Sequence, residues 1–460
     1  MTSGDEGDPG SAIVVGGGLS GLAAAWRLER AGVRVTVLEA SGSAGGRVRS
    51  ERVGPYLVDS GADAATAGYE HWLGLVDDLG RAGDVHPTSA VIGTVHGGRV
   101  VDIDPGRPLR AALTPALSPL AKARMLVGLV RLRKQLARVD SYELGRFAEL
   151  DDPDTDAHAF ATRYFGREVA DHLIDGAMRL VTGSGARQAS TLGVLGALTG
   201  WSTPTVNIEG GLQSVATDVA ARLRDVRLGA RATHVEETAD GVAVTYAAGD
   251  GAPQRLEADS CVLATMYPVA RELWPPLASL APEFGARLRP VKLISVSLGY
   301  ARRPASASYI VSVPTVELPD VLLVFLQHNK ATDRAPDGHA LITIYTDTLA
   351  TDRYLGRSDE GLEAWAAGVV EGLFPELVGQ RDMGHVQRWP QAGYLAEPGF
   401  WRRSRTLLDA LPADGRVQLA GDLFGAGSME SSVRWGNRAA DRLIARRRAA
   451  VGRPARAPAH

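Results

Sequence analysis

The sequence holds a single cysteine, Cys261, among 460 residues. That excludes internal disulfides and any cysteine-ligated metal cluster, and it fits a reducing compartment. No run approaches the roughly 20 apolar residues a membrane-crossing helix needs. The start, Met1-Thr-Ser-Gly-Asp-Glu-Gly-Asp-Pro-Gly10, is acidic and lacks the basic-then-apolar order of a secretion signal, so the expected location is cytoplasmic. A basic excess is missing as well: a formal charge of -3 argues against a nucleic-acid partner, which calls for a strongly positive surface. None of the ten histidines stands in a metal-ligand spacing, so no metal site is expected, and no Ser-His-Asp or nucleophile-elbow pattern occurs.

Glycine is placed where chemistry can use it. In Ile13-Val-Val-Gly-Gly-Gly-Leu-Ser-Gly-Leu22 an apolar run enters a glycine cluster and leaves into Ala23-Ala-Ala-Trp-Arg-Leu28, the order strand, tight turn, helix. Gly16 permits the turn, Gly18 lets the backbone approach a pyrophosphate, and Gly21 lets the helix press on the strand. Leu19 and Ser20 open that helix, whose free N–H groups and positive dipole end suit phosphate oxygens. A second strand, Arg34-Val-Thr-Val-Leu38, ends at Glu39-Ala40. A carboxylate at Glu39 can accept hydrogen bonds from both ribose hydroxyls and would repel a 2′-phosphate, so an unphosphorylated adenosine is expected.

Farther on, Ala44-Gly-Gly-Arg-Val-Arg-Ser50 brings a second glycine pair and an arginine, followed by Tyr56-Leu-Val-Asp-Ser-Gly-Ala62. A plain nicotinamide site has no use for that pair, whereas a longer ligand needs another backbone approach and a cation near its phosphates. With these segments the chain resembles the flavoprotein superfamily that includes flavin-containing amine oxidases, protoporphyrinogen oxidases and phytoene desaturases. The resemblance returns in Glu209-Gly-Gly-Leu-Gln-Ser214, in strands from Arg227 to Val235 and Val242 to Tyr246, in Ser260-Cys-Val-Leu-Ala-Thr-Met266, and in Val417-Gln-Leu-Ala-Gly-Asp422 with Gly427 to Ala440. It implies FAD, with Gly45, Gly46 and Arg47 lying along it. It also implies that the backbone at Val235 meets the adenine, although Val235 reads equally well as an ordinary buried strand valine. Gly421 and Asp422 are implied at the ribityl or pyrophosphate chain. The backbone of Met429, Glu430, Ser431, Ser432 and Val433, at a helix N-terminus, is implied at the pyrimidine end of the isoalloxazine, where a positive helix end stabilises negative charge.

The same resemblance places Lys292 close to where many amine oxidases carry a lysine that holds a water against flavin N5; a solvated cap on the following strand is the competing and more frequent use of such a lysine. Tyr394 in Arg388-Trp-Pro-Gln-Ala-Gly-Tyr394 corresponds to one wall of the amine oxidases' aromatic cage. The other wall's place is taken by Ser428, which puts recognition of a simple free amine in doubt. No cysteine stands near Tyr394, so FAD is expected to be noncovalent. Cys261 is expected to pack as a small apolar side chain.

The expected fold is α/β: a Rossmann-like, glutathione-reductase-like FAD-binding domain built discontinuously from residues 11–82, 207–275 and 412–446. A second domain of mixed sheet plus helices, 83–206 and 276–411, would take the substrate, and 1–10 and 447–460 would be flexible tails. Leu293 to Leu298, Val321 to Leu326 and Leu341 to Tyr345 read as strands of its sheet. Ser118 to Arg138 reads as a basic amphipathic helix whose apolar stripe packs on the core, association with a membrane surface being the less favoured alternative. The expected activity is hydride removal from a C–N or C–C bond of a hydrophobic small molecule, protoporphyrinogen-oxidase-like or desaturase-like, with oxygen or another acceptor reoxidising the flavin. An amine oxidase is the alternative, and a non-enzymatic escort or GDP-dissociation-inhibitor-like binder a remote one.

Overall fold

The computed structural model describes residues 10–107, 113–200, 203–249 and 251–451. Five parallel strands form one sheet in the order Val226–Arg227, Arg34–Leu38, Ser11–Val15, Ser260–Leu263, Val417–Leu419. The central strand is apolar and buried from Ala12 to Val15 because both of its faces are covered, as a parallel sheet requires. Ala12 and Val14 share a core with Leu22 and Ala24 of the helix Leu19–Arg30 and with Ala439 and Ala440 of the closing helix Met429–Val451. Ile13 and Val15 turn the other way, onto Val235 and Val244 of an antiparallel meander, Ala230–Glu237, Val242–Ala248 and Gln254–Ala258.

The expected strand from Arg227 to Val235 is two elements. Val226 and Arg227 pair with Val37 and Leu38 at the edge of the parallel sheet, and the meander starts only at Ala230, after a turn in which Gly229 takes a φ of 68°. Cys261 lies at the centre of the sheet with no exposed surface, and burial pushes its thiol far up. It packs as a small apolar side chain.

A second sheet has seven strands in the order Arg381–Tyr394, Pro290–Tyr300, Ala340–Thr346, Val321–Leu326, Ile310–Ser312, Ile92–His96, Arg99–Ile103. Its pairings are antiparallel except that of Ile310–Ser312 with Ile92–His96, so the sheet is mixed. One face packs on the helix Asp359–Leu373 through Ile294, Val296, Ile342 and Ile344. The opposite face presents Tyr309, Phe325 and Tyr345, towards the segment that follows Asp59.

The basic helix runs Pro119–Leu136. Ser118 caps it by accepting from the Ala121 N–H, and Pro119 sits where a missing N–H costs nothing. Its buried stripe is narrow, Ala121, Gly128 and Leu132, while Leu120, Leu126, Val127 and Val130 stay exposed. The expected core packing therefore holds for one line of the helix only. Among the described residues no helix is long and apolar enough to cross a membrane. The closing helix continues to Val451, into the segment expected to fray; residues 1–9 and 452–460 lie outside the described residues.

Candidate functional site

The glycine cluster folds as its spacing demands. A Cβ on Gly21 would lie 1.9 Å from the Gly16 carbonyl oxygen, so only glycine lets the helix start this close to the strand. The helix Leu19–Arg30 has Gly18 at its N-cap, with no side-chain cap and no acidic residue in its first turn. Its free N–H groups and dipole are left for an anion. Ser20 adds a buried hydroxyl without a partner among the described residues. Glu39 Oε2 accepts the Gly17 N–H at 2.6 Å, and Oε1 accepts the N–H and hydroxyl of Ser41. The carboxylate is thus fixed beside the glycine turn, with exposed Ala40 next to it.

The second glycine pair lies directly against the first. The Gly45 N–H donates to the Gly17 carbonyl at 2.9 Å, and Gly46, at a φ of 59°, would bring a Cβ to 3.1 Å from Gly18 Cα. Gln213, which the sequence did not single out, brackets this segment: its Nε2 donates to Ala44 O at 2.7 Å and its Oε1 accepts the Ser50 N–H at 2.8 Å. Arg47 then reaches across to Asp422 in a two-pronged ion pair, 2.9 Å on each prong, and donates to the Ala392 carbonyl at 3.0 Å. Burial works against the guanidinium, but Asp422 outweighs it and raises its pKa. Gly421, at a φ of 129°, makes the turn that aims Asp422 there.

Tyr394 is brought to the same place. Its hydroxyl accepts the Tyr267 N–H at 2.7 Å, and burial, with Asp422 nearby, raises its pKa far enough to keep it a neutral phenol. Ser428, at the place of the second cage wall, is the cap of the closing helix: its hydroxyl accepts the Ser431 N–H at 3.1 Å and donates to the Ala426 carbonyl. Met429, Ser431 and Val433 are buried, and Ser432 donates back to the Ser428 carbonyl. The Glu430 side chain turns away to another task, accepting the N–H groups of His71 and Trp72 at the start of the helix Glu70–Asp78. Val235 is buried in the meander opposite Val244; the same strand reaches Glu39 through the Ala230 N–H, which donates to the Glu39 carbonyl.

Lys292 does not join this group. It sits at an irregularity in the pairing of Pro290–Tyr300 with Arg381–Tyr394, and its ammonium pairs with Asp352 at 2.9 Å, half-exposed. None of its described contacts is with Arg47, Asp422 or Tyr394.

A buried ionic cluster that the sequence reading missed locks the segment after Asp59 onto the second sheet. The Lys330 ammonium, with no exposed surface, donates to Asp59 Oδ2 at 2.7 Å, Asp63 Oδ1 at 2.8 Å and Asp63 O at 2.6 Å. Gln327 and Tyr345 also donate to Asp63 Oδ2, and Arg334 lies 3.4 Å from Asp59. Burial would raise the Asp59 carboxyl, but Lys330 and Arg334 win and hold it below its ordinary range. Asp63, sharing one ammonium with a second carboxylate, is held above it, with burial the main cause. Ser295 and Trp389 donate to the Ser60 carbonyl, at 2.8 and 2.7 Å. The only sequence signal was an Asp in an apolar strand, Tyr56-Leu-Val-Asp59.

Together these residues fit an extended dinucleotide: an uncapped helix N-terminus with an orphan hydroxyl for phosphate, a fixed carboxylate for ribose, and a glycine-lined path ending at an arginine held by Asp422. Residues 19–444 match the profile of a family described as flavin containing amine oxidoreductase. Protoporphyrinogen oxidase 2 of Arabidopsis thaliana is 32% identical over 35% of this chain, but the match spans only 30% of that protein. Coproporphyrinogen III oxidase of Mycobacterium tuberculosis is 24% identical over 85% of this chain and 88% of its own length. Among solved structures, cyclohexylamine oxidase from Brevibacterium oxydans superposes with a TM-score of 0.73, at 19% identity, over 95% of this chain and 99% of that one.

Proposed function

Because the chain belongs to the flavin-containing amine oxidoreductase family and is therefore an FAD-dependent oxidoreductase, we propose that it oxidises a hydrophobic ring system of the porphyrinogen type by removing a hydride from a C–H bond and a proton from the neighbouring N–H or C–H, which turns the C–N or C–C bond between them into a double bond. The observation that carries this reading is Ser428. Where an amine oxidase closes its aromatic cage, this chain has a serine spent on capping a helix, so that position does not supply the wall that would pair with Tyr394. The similarity to a coproporphyrinogen III oxidase over most of both chains supports the same choice.

Bound FAD supplies a two-electron acceptor for the substrate's C–H bond. The chain's own residues do the holding. Leu19 and Ser20 at the open helix end, with Gly45 and Gly46 facing them, seat the pyrophosphate, and Glu39 takes the ribose. Arg47, kept in place by Asp422 and the Ala392 carbonyl, offers a fixed positive charge beside Tyr394. Tyr394, a neutral phenol whose oxygen already accepts a backbone N–H, serves as a wall and is not poised as a base. Lys292 lies inside the strand Pro290–Tyr300 and is committed to Asp352, which favours a surface ion pair over a place beside the flavin. With the one cysteine inaccessible in the sheet, no thioether to FAD can form.

The test is anaerobic mixing of the yellow holoprotein with porphyrinogens, polyenes and amines in turn, following the flavin's visible absorbance. Bleaching by a porphyrinogen and not by primary amines is expected. Rapid bleaching by an amine with no response to porphyrinogens would overturn the proposal.

A further inference from the structure

Away from the glycine turns, three side chains meet that no local spacing connects. His96 ends the strand Ile92–His96, His172 lies in the π-turn Ala170–Ile174 of the helical layer, and Glu317 follows the strand Ile310–Ser312. One donor atom from each lies within 4.8 Å of the others. His96 Nδ1 and Glu317 Oε1 are 3.8 Å apart, too far for a hydrogen bond. Around a tetrahedral ion with bonds near 2.1 Å, neighbouring ligand atoms stand about 3.4 Å apart, so the trio needs only a small contraction to bind one.

Two features say that these groups await a ligand. The Nδ1 atoms of both His96 and His172 are buried and have no hydrogen-bond partner among the described residues, and orphaned buried polar atoms call for an explanation such as an ion. The two rings, though not Glu317, also border a mainly apolar cavity of about 40 Å³, lined besides by Thr94, Val95, Ile103, Thr114, Leu117 and Leu173. That is room for a water or small ligand in a fourth coordination position. The carboxylate is oriented from behind: Glu317 Oε1 and Oε2 accept the N–H groups of Gly97 and Gly98 at 3.0 and 3.3 Å. Metal-bound carboxylates are commonly held by such outer hydrogen bonds. A π-turn inside a helix is itself a frequent mark of a functional position.

We propose that His96, His172 and Glu317 form a binding site for a divalent first-row transition-metal ion of the zinc class, with two imidazoles and one carboxylate as ligands and a fourth position open to the cavity. Such an ion would tie the outer hairpin of the seven-stranded sheet to the helical layer. The earlier expectation of no metal rested on spacing along the chain, which cannot see ligands from three separate elements.

The test is calorimetric titration of the chelator-treated, full-length holoprotein with Zn²⁺ alone, repeated with Co²⁺, whose long-wavelength absorbance reports tetrahedral geometry beyond the flavin band. One equivalent of Zn²⁺ is expected to bind. Loss of an outer hydrogen-bond partner typically weakens metal sites by about 10–100-fold, so His172→Ala, which removes a ligand, should weaken binding by at least about 100-fold. His86→Ala, remote from the trio and paired with Glu209, should leave it unchanged. Should His172→Ala lose its flavin, His96→Gln, which preserves side-chain size, replaces it as the ligand deletion. No binding by the parent protein, or binding that ligand deletion leaves intact, would overturn the proposal.

Discussion

Replacing Lys330 with methionine keeps the length of the side chain and removes the cation that touches both Asp59 and Asp63. The ammonium has no exposed surface and lies 2.7 and 2.8 Å from the two carboxylates. Breaking a buried ion pair costs about 3–5 kcal/mol, because the surviving charge stays buried without its partner. Asp59 would keep Arg334 at 3.4 Å, leaving Asp63 as the stranded group, so the lower figure of about 3 kcal/mol applies. Unfolding entropy near 2 cal/mol/K per residue gives about 1 kcal/mol/K for a chain of this length, hence a fall of about 3 °C in the melting midpoint. The loss must also depend on pH. Asp63 is held above the ordinary carboxylate range by burial, against the pull of Lys330. An acid with a raised folded pKa binds more protons when folded, so its stabilisation is complete below that range and is lost as pH rises through the folded value. Removing the ammonium moves this window upward. Thermal melting of the holoprotein, followed by flavin fluorescence, should therefore show a deficit that is smallest in the ordinary carboxylate range and grows as pH rises. Adding Asp63→Asn to Lys330→Met should recover about 1–3 kcal/mol relative to the single change. An unchanged midpoint at alkaline pH, or a deficit that grows towards acid, would refute the account.

Gly21→Ala puts a methyl group 1.9 Å from the Gly16 oxygen, so the protein should purify without yellow colour, read as the ratio of visible to ultraviolet absorbance. Arg47→Met strips a two-pronged partner from buried Asp422; at about 1.5–3 kcal/mol for charged hydrogen bonds, FAD should bind about 10–100-fold more weakly by fluorescence titration. Burial pushes the Asp151 carboxyl up to about 6, so its stabilisation is present below the ordinary carboxylate range and lost as pH rises through about 6. Asp151→Asn, which cannot ionise, should remove a stability change of up to about 3 kcal/mol between about pH 4 and 7 in denaturant titrations at several pH values. Lys292→Met removes a half-exposed pair with Asp352, worth at most about 1 kcal/mol. Stopped-flow flavin reduction by the substrate should then change by less than about fivefold; a loss of several orders of magnitude would restore a role beside the flavin.

What the sequence made legible was local. Gly16, Gly18, Gly21 and Glu39 act within one strand–turn–helix–strand unit, and their spacing alone states which backbone approaches which. Arg47 and Asp422 needed the family resemblance, because their pairing joins positions 375 residues apart. Lys330 and Gln213 were missed for a related reason: each is an ordinary residue in its own neighbourhood and acquires meaning only from partners brought in by tertiary folding. Glu430 was found, but the use of its side chain was not, since a helix that needs an acidic partner at its N-terminus does not announce which distant carboxylate will serve. The narrow buried stripe of Pro119–Leu136 shows the same limit from the other side. Periodicity identifies an apolar face, and neighbours decide how much of it is covered.

The order of the parallel sheet sets a timetable for synthesis. Ser11–Val15 leaves the ribosome early and finds Arg34–Leu38 at once, but its other neighbour arrives 248 residues later, as the contact between Ser11 and Asp259 records. The edge strand Val417–Leu419, and with it Asp422, comes later still. Through most of translation the nascent chain therefore carries the adenosine end of a cofactor seat beside an open sheet edge. Only the segment from Val417 to Asp422 adds the fifth strand and supplies the partner of Arg47, so the ability to retain flavin depends on that late-made segment having folded against the rest.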